Sequence, residues 1–259
     1  MKRTKLRLGQ VKVTPAKGEL AANFSLLETI VRDEASQTLD VIVTPECFLD
    51  GYLATEKKAS HRRLFEYAVS PGDSPYIREV ADLARKQKCW FLLGCMRKEK
   101  GDVFNSVLIF DRAGQLAGWY DKTHCQTHDR KFTPGKALPV FSSDFGPFGV
   151  MVCADRRWPE TVRTLSLKGA RVIFNPSWGM HDQRNLEMMK TRSYESEVVI
   201  VFTHPEQALV TGPDGEVISF NQSRYQRLVV TEVDLTEVDR TRSGECSHLR
   251  DRRPEIYHL

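Results

Sequence analysis

Three side chains with complementary chemistry each stand at the end of a short apolar run. Gly149-Val150-Met151-Val152 leads to Cys153, Asp40-Val41-Ile42-Val43-Thr44-Pro45 leads to Glu46, and Trp119-Tyr120-Asp121 leads to Lys122. A cysteine at the C-terminal end of a buried strand, with a helix start close by at Trp158-Pro159-Glu160, sits where open α/β folds place their chemistry. If the three strands run the same way, their ends gather at one edge and bring a thiol, a carboxylate and an ammonium into one pocket. That set suits acyl transfer. The carboxylate takes the thiol proton and later protonates a leaving amine. The ammonium favours the thiolate and holds a developing oxyanion, with the Ala154 N–H as a second donor. Singly, each has a plainer role: Glu46 as a loop cap, Lys122 as a solvated lysine, Cys153 as a small core residue. The case rests on all three falling at strand ends.

The elements that must position them alternate along the chain. Strands are expected at Leu6–Val13, Asp40–Thr44 (stopped by Pro45), Trp90–Cys95, Phe104–Phe110 and Leu116–Tyr120, the last two joined by the turn Asp111-Arg112-Ala113-Gly114. Helices are expected at Glu19–Ala35, with Leu20, Phe24, Leu27 and Val31 on one face, and from Ser74-Pro75 to about Lys86. The second half repeats the plan: strand Gly149–Cys153, helix Pro159–Lys168 closed by Gly169, strand Arg171–Asn175, helix Asn185–Glu197, then strands Val198–Thr203, Ala208–Thr211, Glu216–Phe220 and Arg227–Val233. Each half thus carries strand–helix units followed by a hairpin. One sheet would have to hold about ten strands, so a single α/β domain with two sheets is expected.

Composition sets the frame. The 259 residues are 41% hydrophobic and 28% charged, with 38 basic and 34 acidic side chains interspersed, an ordinary globular balance that does not imply nucleic acid. The tail from about 240 to 259 is expected to be extended and in subunit contact, its basic residues interrupted by Glu245, Asp251 and Glu255. Cys47, Cys89, Cys95, Cys125, Cys153 and Cys246 form no C-x-x-C pair and are expected to be reduced thiols in a cytoplasmic protein. On that expectation the sequons at Asn23 and Asn221 carry no sugar. The basic N-terminus lacks a continuous apolar h-region, and no apolar stretch approaches the roughly 20 residues of a membrane span.

Thr44-Pro45-Glu46 with Gly51-Tyr52, then Tyr120-Asp121-Lys122-Thr123-His124, then Cys153-Ala154-Asp155-Arg156-Arg157-Trp158-Pro159-Glu160 resemble, in order, the three signature blocks of the nitrilase superfamily of carbon–nitrogen hydrolases. The likeness extends through Phe104-Asn105-Ser106, Phe132-Thr133-Pro134-Gly135, Asn175-Pro176-Ser177-Trp178-Gly179 and Arg192-Ser193-Tyr194-Glu195. It implies a four-layer α-β-β-α sandwich and a Glu46–Lys122–Cys153 catalytic set. It also implies no metal or organic cofactor, a small amide or N-carbamoyl substrate, and a homodimer or higher homo-oligomer formed through helices near the nucleophile. Nitrile hydrolysers of the family tend to carry Trp-Glu or Gly-Glu after the nucleophile. Ala154-Asp155-Arg156-Arg157 is more similar to the amidase and N-carbamoyl amidohydrolase branches, and Arg156 with the mostly structural Arg157 resembles the paired arginines that carbamoyl-amino-acid hydrolases use on a substrate carboxylate. Arg156 either does that or pairs with Asp155 or Glu160. Many members have a second glutamate where this chain has His128 followed by Asp129, and either residue is a candidate for the fourth catalytic group. Ala154 replaces a larger residue and widens the pocket. The loops Phe48–Pro71, His124–Lys136 and Trp178–Asn185 are expected to shape the substrate site, with Phe48, Tyr52, Trp178 and Met180 as lining or core residues.

Two rival readings follow from the same residues. His124, Cys125 and His128, joined by His181 or His204, form a candidate metal set, but the segment has no His-Glu-x-x-His pattern. A non-catalytic binding protein on this fold would keep the pocket without turnover. The retained Glu46, Lys122 and Cys153 speak against it.

Overall fold

A computed structural model describes residues 4–34 and 38–257. Ala35, the expected end of the first helix, and the last two residues of the tail lie outside that range. Each half is built on parallel strands connected by helices. In the first, β1 (Lys5–Val11) is followed by α1 (Leu20–Glu34), β2 (Val41–Val43), α2 (His61–Tyr67), α3 (Pro75–Gln87), β3 (Trp90–Glu99), β4 (Asp102–Phe110) and β5 (Leu116–Asp121). In the second, β6 (Val140–Phe141) and β7 (Phe148–Val150) precede α4 (Pro159–Leu167), β8 (Val172–Pro176), α5 (Gln183–Ser196), β9 (Val199–His204), β10 (Gln207–Thr211) and β11 (Val217–Asn221). The chain ends with β12 (Leu228–Asp234) and α6 (Thr236–Ser243).

The described strands form two six-stranded sheets, ordered β12-β1-β2-β3-β4-β5 and β11-β10-β9-β8-β7-β6. Each has a parallel centre, β1–β2–β3 or β7–β8–β9, where helices connect the strands, and an antiparallel hairpin beyond it. The period of two in each strand separates the layers. Val41, Val43, Leu92, Val107 and Tyr120 meet Phe148, Val150, Phe174 and Val201 between the sheets. The alternate residues face helices: Ile42, Phe91 and Leu93 pack with Leu27, Val31, Ile77 and Val80, while Ile173 and Ile200 pack with Val162, Leu165 and Met189. The result is the expected α-β-β-α sandwich in one domain. Among the described residues no helix is long and apolar enough to cross a membrane.

Several expectations are corrected. The strand expected through Cys153 stops at Val150, and Cys153–Arg157 form a 3-10 turn. Helix α2 buries only Leu64, so it leaves no apolar period to detect, and β6 has two residues. The tail is not extended from 240: α6 runs to Ser243. Asp234 accepts from the Thr236 N–H and hydroxyl at its start, and acidic residues in its first turn and basic residues in its last favour the helix dipole. Arg242 then docks the helix on the carbonyls of Ala170 and Glu197.

Gly94 within β3 is a steric requirement for the site. A Cβ on Gly94 would stand 2.1 Å from the carbonyl oxygen of Pro45, the residue before Glu46. Gly94→Ala should therefore cost about 1–3 kcal/mol or more of stability by overpacking, and it should depress activity further by displacing Glu46. Urea unfolding alongside a rate assay checks this.

Candidate active site

The ends of β2 and β5 lie in one sheet and point the same way, since β3 is parallel to β2 and two antiparallel pairings separate it from β5. Lys122 follows β5, its N–H donating to the Asn105 carbonyl and its own carbonyl accepting from Gly135. Its Nζ is 2.7 Å from Glu46 Oε1 and also contacts Asp129 Oδ2. All three residues are buried, at 1%, 0% and 3% exposure. Burial alone would pull the Lys122 pKa down, but the charges of Glu46, Cys153 and Asp129 push it well above the ordinary lysine value. Lys122 is a fixed ammonium. Burial and the Glu46 charge raise the Asp129 pKa, against the lowering by Lys122.

One oxygen of Glu46 carries the local network. Oε1 accepts from Lys122, from the Asn105 amide at 2.8 Å and from the Tyr52 hydroxyl at 3.0 Å. Oε2 is buried and has no hydrogen-bond partner among the described residues. A carboxylate held so firmly by one oxygen presents the other as a proton acceptor. Tyr52 also lies 2.6 Å from Asp129 Oδ1, so its hydroxyl bridges both carboxylates. Tyr52 is expected from the sequence to touch substrate; its hydroxyl is instead spent inside the charged cluster.

Cys153 reaches the site from the other sheet. It heads the 3-10 turn in a left-handed conformation, φ 45°, which a non-glycine residue adopts only at a cost. Asp155 holds the turn in place. This carboxylate is fully buried and accepts from the Val152 and His124 N–H groups, from the Tyr120 and Thr123 hydroxyls, and from the His124 ring. Burial would raise its pKa, but these hydrogen bonds and the Lys122 charge hold it below the ordinary value. The Tyr120-Asp121-Lys122-Thr123-His124 run is thereby explained: Tyr120, Thr123 and His124 serve Asp155, Lys122 serves Glu46, and Asp121 pairs with Arg97. Ala154 is the second residue of the turn, where an N–H has no acceptor within the turn itself.

The remaining expectations sort as follows. Asp129, not His128, contacts Lys122; the His128 ring meets the edge of Tyr52 at 5.0 Å. Trp178 is half-buried and meets Tyr52 at 5.6 Å. Phe48 is fully buried in the core with Leu27, Ile77 and Val80. Arg156 is not free for a substrate carboxylate, and it pairs with neither Asp155 nor Glu160. It is 1% exposed and donates to Asn185 Oδ1 at 2.6 Å and to the carbonyls of Cys153, Gly179 and Met180. The candidate metal set disperses: the His124 ring is held by Asp155 and stacked on Trp158, and His128 lies on Tyr52. Among the described residues only His181, His204 and Glu206 bring ligating atoms within 4.8 Å of one another. Both His204 ring nitrogens are already engaged, with the Trp178 carbonyl and the Glu206 N–H. Two residues were missed as site members, Asn105 and Asp155. Both stand inside the sequence blocks quoted above, and only the fold shows what they touch.

The description "carbon-nitrogen hydrolase" fits residues 5–243, the span matched by that family's sequence model. The chain belongs to the carbon-nitrogen hydrolase family. Among relatives in this family, a nitrilase of Pyrococcus abyssi is 28% identical over 97% of this chain and 99% of its own. The N-carbamoylputrescine amidase of rice is 24% identical over 91% and 88%. Among solved structures, an amidase from Nesterenkonia sp. superposes with a TM-score of 0.80 at 18% identity, covering 98% of this chain and 96% of the other, which shows the shared fold. A variant of that amidase carries the acetamide moiety of fluoroacetamide on its active-site cysteine.

Asp155→Asn tests the electrostatics of the Cys153 turn. A carboxylate whose pKa is depressed by folding contributes stability above the unfolded value near 4, and that contribution fades as pH falls through the folded value. The variant's deficit in urea unfolding should be largest at neutral pH and shrink in acid; a deficit that grows in acid would contradict the assignment.

Proposed function

We propose that this hydrolase cleaves the C–N bond of a linear amide or N-carbamoyl compound through a thioester on Cys153. The observation that carries the reading is the unpartnered, buried Oε2 of Glu46, whose Oε1 is held by Lys122, Asn105 and Tyr52, in the cluster where Cys153 acts electrostatically on Lys122 and Tyr52. Glu46 takes the thiol proton and the sulfur attacks the carbonyl carbon. Lys122 Nζ and the Ala154 N–H stabilise the oxyanion. Glu46 passes its proton to the departing ammonia or amine, then draws a proton from water as that water attacks the thioester. Asp129 keeps Lys122 charged through the cycle, with Tyr52 holding its carboxylate against that of Glu46. Trp178 and His128, both on the Tyr52 ring, border the substrate.

Amide rather than nitrile chemistry is supported by Ala154-Asp155 in place of the Trp-Glu or Gly-Glu of nitrile hydrolysers, and by relatives named amidase and N-carbamoylputrescine amidase. The relative named nitrilase keeps nitriles as the second reading. Six free thiols support a reducing, cytoplasmic setting. We place a homodimer contact on α4, α5 and the tail, where Leu167, Tyr194, Ile256 and Tyr257 are exposed; a monomer by light scattering at micromolar concentration would contradict it.

In an ammonia-release screen, amides and N-carbamoyl amines should turn over and nitriles should not. Cys153→Ala should abolish turnover with the fold intact, and Lys122→Ala, which removes an oxyanion donor, should lose on the order of 10²–10³ in kcat. Activity on nitriles alone, or full activity in Cys153→Ala, would overturn the proposal.

A further inference from the structure

The segment Trp178–His181 crosses the site as a strap whose four successive carbonyls are each held by a side chain from the body of the protein. The Trp178 carbonyl accepts from His204 Nε2, those of Gly179 and Met180 from Arg156 Nη2 at 3.2 and 2.7 Å, and that of His181 from Gln207 Nε2 at 2.9 Å. His204, Arg156 and Gln207 are all buried. Burial, the neighbouring His181 and the Arg156 charge lower the His204 pKa to about 4, despite the raising effect of the Trp178 carbonyl. His204 is therefore a neutral N–H donor at ordinary pH. The strap passes close to the nucleophile: a Cβ on Gly179 would lie 4.0 Å from Cys153 Sγ. Met180 sits at φ 30°, a conformation that needs outside support.

Arg156 differs from the other two donors because it holds both sides. Its Nη1 donates to the carbonyl of Cys153 itself while Nη2 holds Gly179 and Met180. Its Nε is fixed by Asn185, and its plane lies over the Phe202 ring at 5.1 Å. Among the described residues no carboxylate lies within ion-pair distance of it. Its acceptors are an amide and three peptide carbonyls, two of them in a loop far along the chain. A planar fork is needed to serve acceptors in three directions, and an ammonium cannot replace it.

We propose that Arg156 is a positioning residue that ties the strap Trp178–Met180 to the nucleophile's own peptide and so fixes the gap through which substrate reaches Cys153 Sγ. This rests on the reading of Cys153 as the nucleophile for amide hydrolysis, and it assigns Arg156 to the architecture of that site instead of to a substrate carboxylate. The two roles separate in kinetics. A carboxylate anchor acts on KM, and only for substrates that carry a carboxylate. A strap tie acts on kcat for every substrate, because misplacing the reacting groups by about 1 Å costs on the order of 10²-fold.

The test uses Arg156→Met, Arg156→Lys and Asn185→Leu in the full chain, with an N-carbamoyl amino acid and the N-carbamoyl amine of the same carbon skeleton as substrates. Cys153 is also alkylated with iodoacetamide and with the bulkier N-ethylmaleimide, and modification is followed by peptide mass spectrometry. The ratio of the two rates reports the width of the approach and needs no turnover. Arg156→Met should lower kcat about 100-fold equally on both substrates, with KM little changed, and should raise the bulky-to-small alkylation ratio. Asn185→Leu, which keeps the charge and removes the Nε acceptor, should shift both readouts the same way by less, and it carries the test if Arg156→Met does not fold. Arg156→Lys should not restore either. A KM rise confined to the carboxylate-bearing substrate, an unchanged alkylation ratio, or full rescue by lysine would overturn the proposal. If the wild-type protein turns over neither substrate, the N-carbamoyl part of the proposed function fails while the alkylation ratio still decides the role of Arg156.

Discussion

An ammonium enclosed between two buried carboxylates is the constraint on which the rest of this structure depends. Lys122, Glu46 and Asp129 are all nearly inaccessible to water, and the cost of removing such charges from water is repaid only by close pairing and by hydrogen bonds to the remaining lone pairs. Asn105 and Tyr52 supply those bonds. Each member comes from a different place in the chain: the end of β2, the end of β5, the middle of β4, the strained loop at Tyr52 and the 3-10 turn Thr127–Lys131. The first sheet must therefore keep β2, β3, β4 and β5 in order and in register. Gly94 and Gly135 allow the backbones to approach closely enough to do so; a Cβ on Gly135 would stand 2.1 Å from the Asp121 carbonyl.

The second sheet brings Cys153 to that cluster, close enough for its charge to act on Lys122. The sheets are joined by their apolar inner faces and by a buried polar tie from Gln10 on β1 to the Phe202 carbonyl and Thr203 hydroxyl on β9. Cys153 sits in an unfavourable backbone conformation, and Asp155 and Arg156 over-determine it, one from each side. Glu46, Lys122 and Cys153 each stand just past a strand, and each is held by buried polar groups whose bonds are made within the protein. Arg156 is buried beside Cys153 with its donors spent on protein acceptors, so it makes no direct case for an anionic substrate.

The sandwich was legible in the sequence because most strands have a short apolar run stopped by proline or a turn, and the helices α1, α3 and α4 show an apolar face, whereas α2 and β6 are too short or too polar to leave such a pattern. Glu46, Lys122 and Cys153 were legible because each follows such a run. Asp129 and His128 could not be told apart, since a shift of one residue in a 3-10 turn entered through Thr127 at positive φ decides which side chain faces Lys122. The role of Arg156 was hidden for a different reason: most of its acceptors are backbone carbonyls, which leave no trace in residue type. Helix α6 was missed because it buries only Val238 and otherwise looks like a solvated charged tail.

The central claim is that the bond to carbon passes through the Cys153 sulfur. Acid-quenching the wild-type enzyme during turnover of an amide that it hydrolyses, followed by digestion and peptide mass spectrometry, tests this most directly. The account predicts the substrate's acyl mass on the peptide containing Cys153 and its disappearance once substrate is exhausted. Turnover with no adduct on that peptide, or an adduct that forms on another residue, would contradict it.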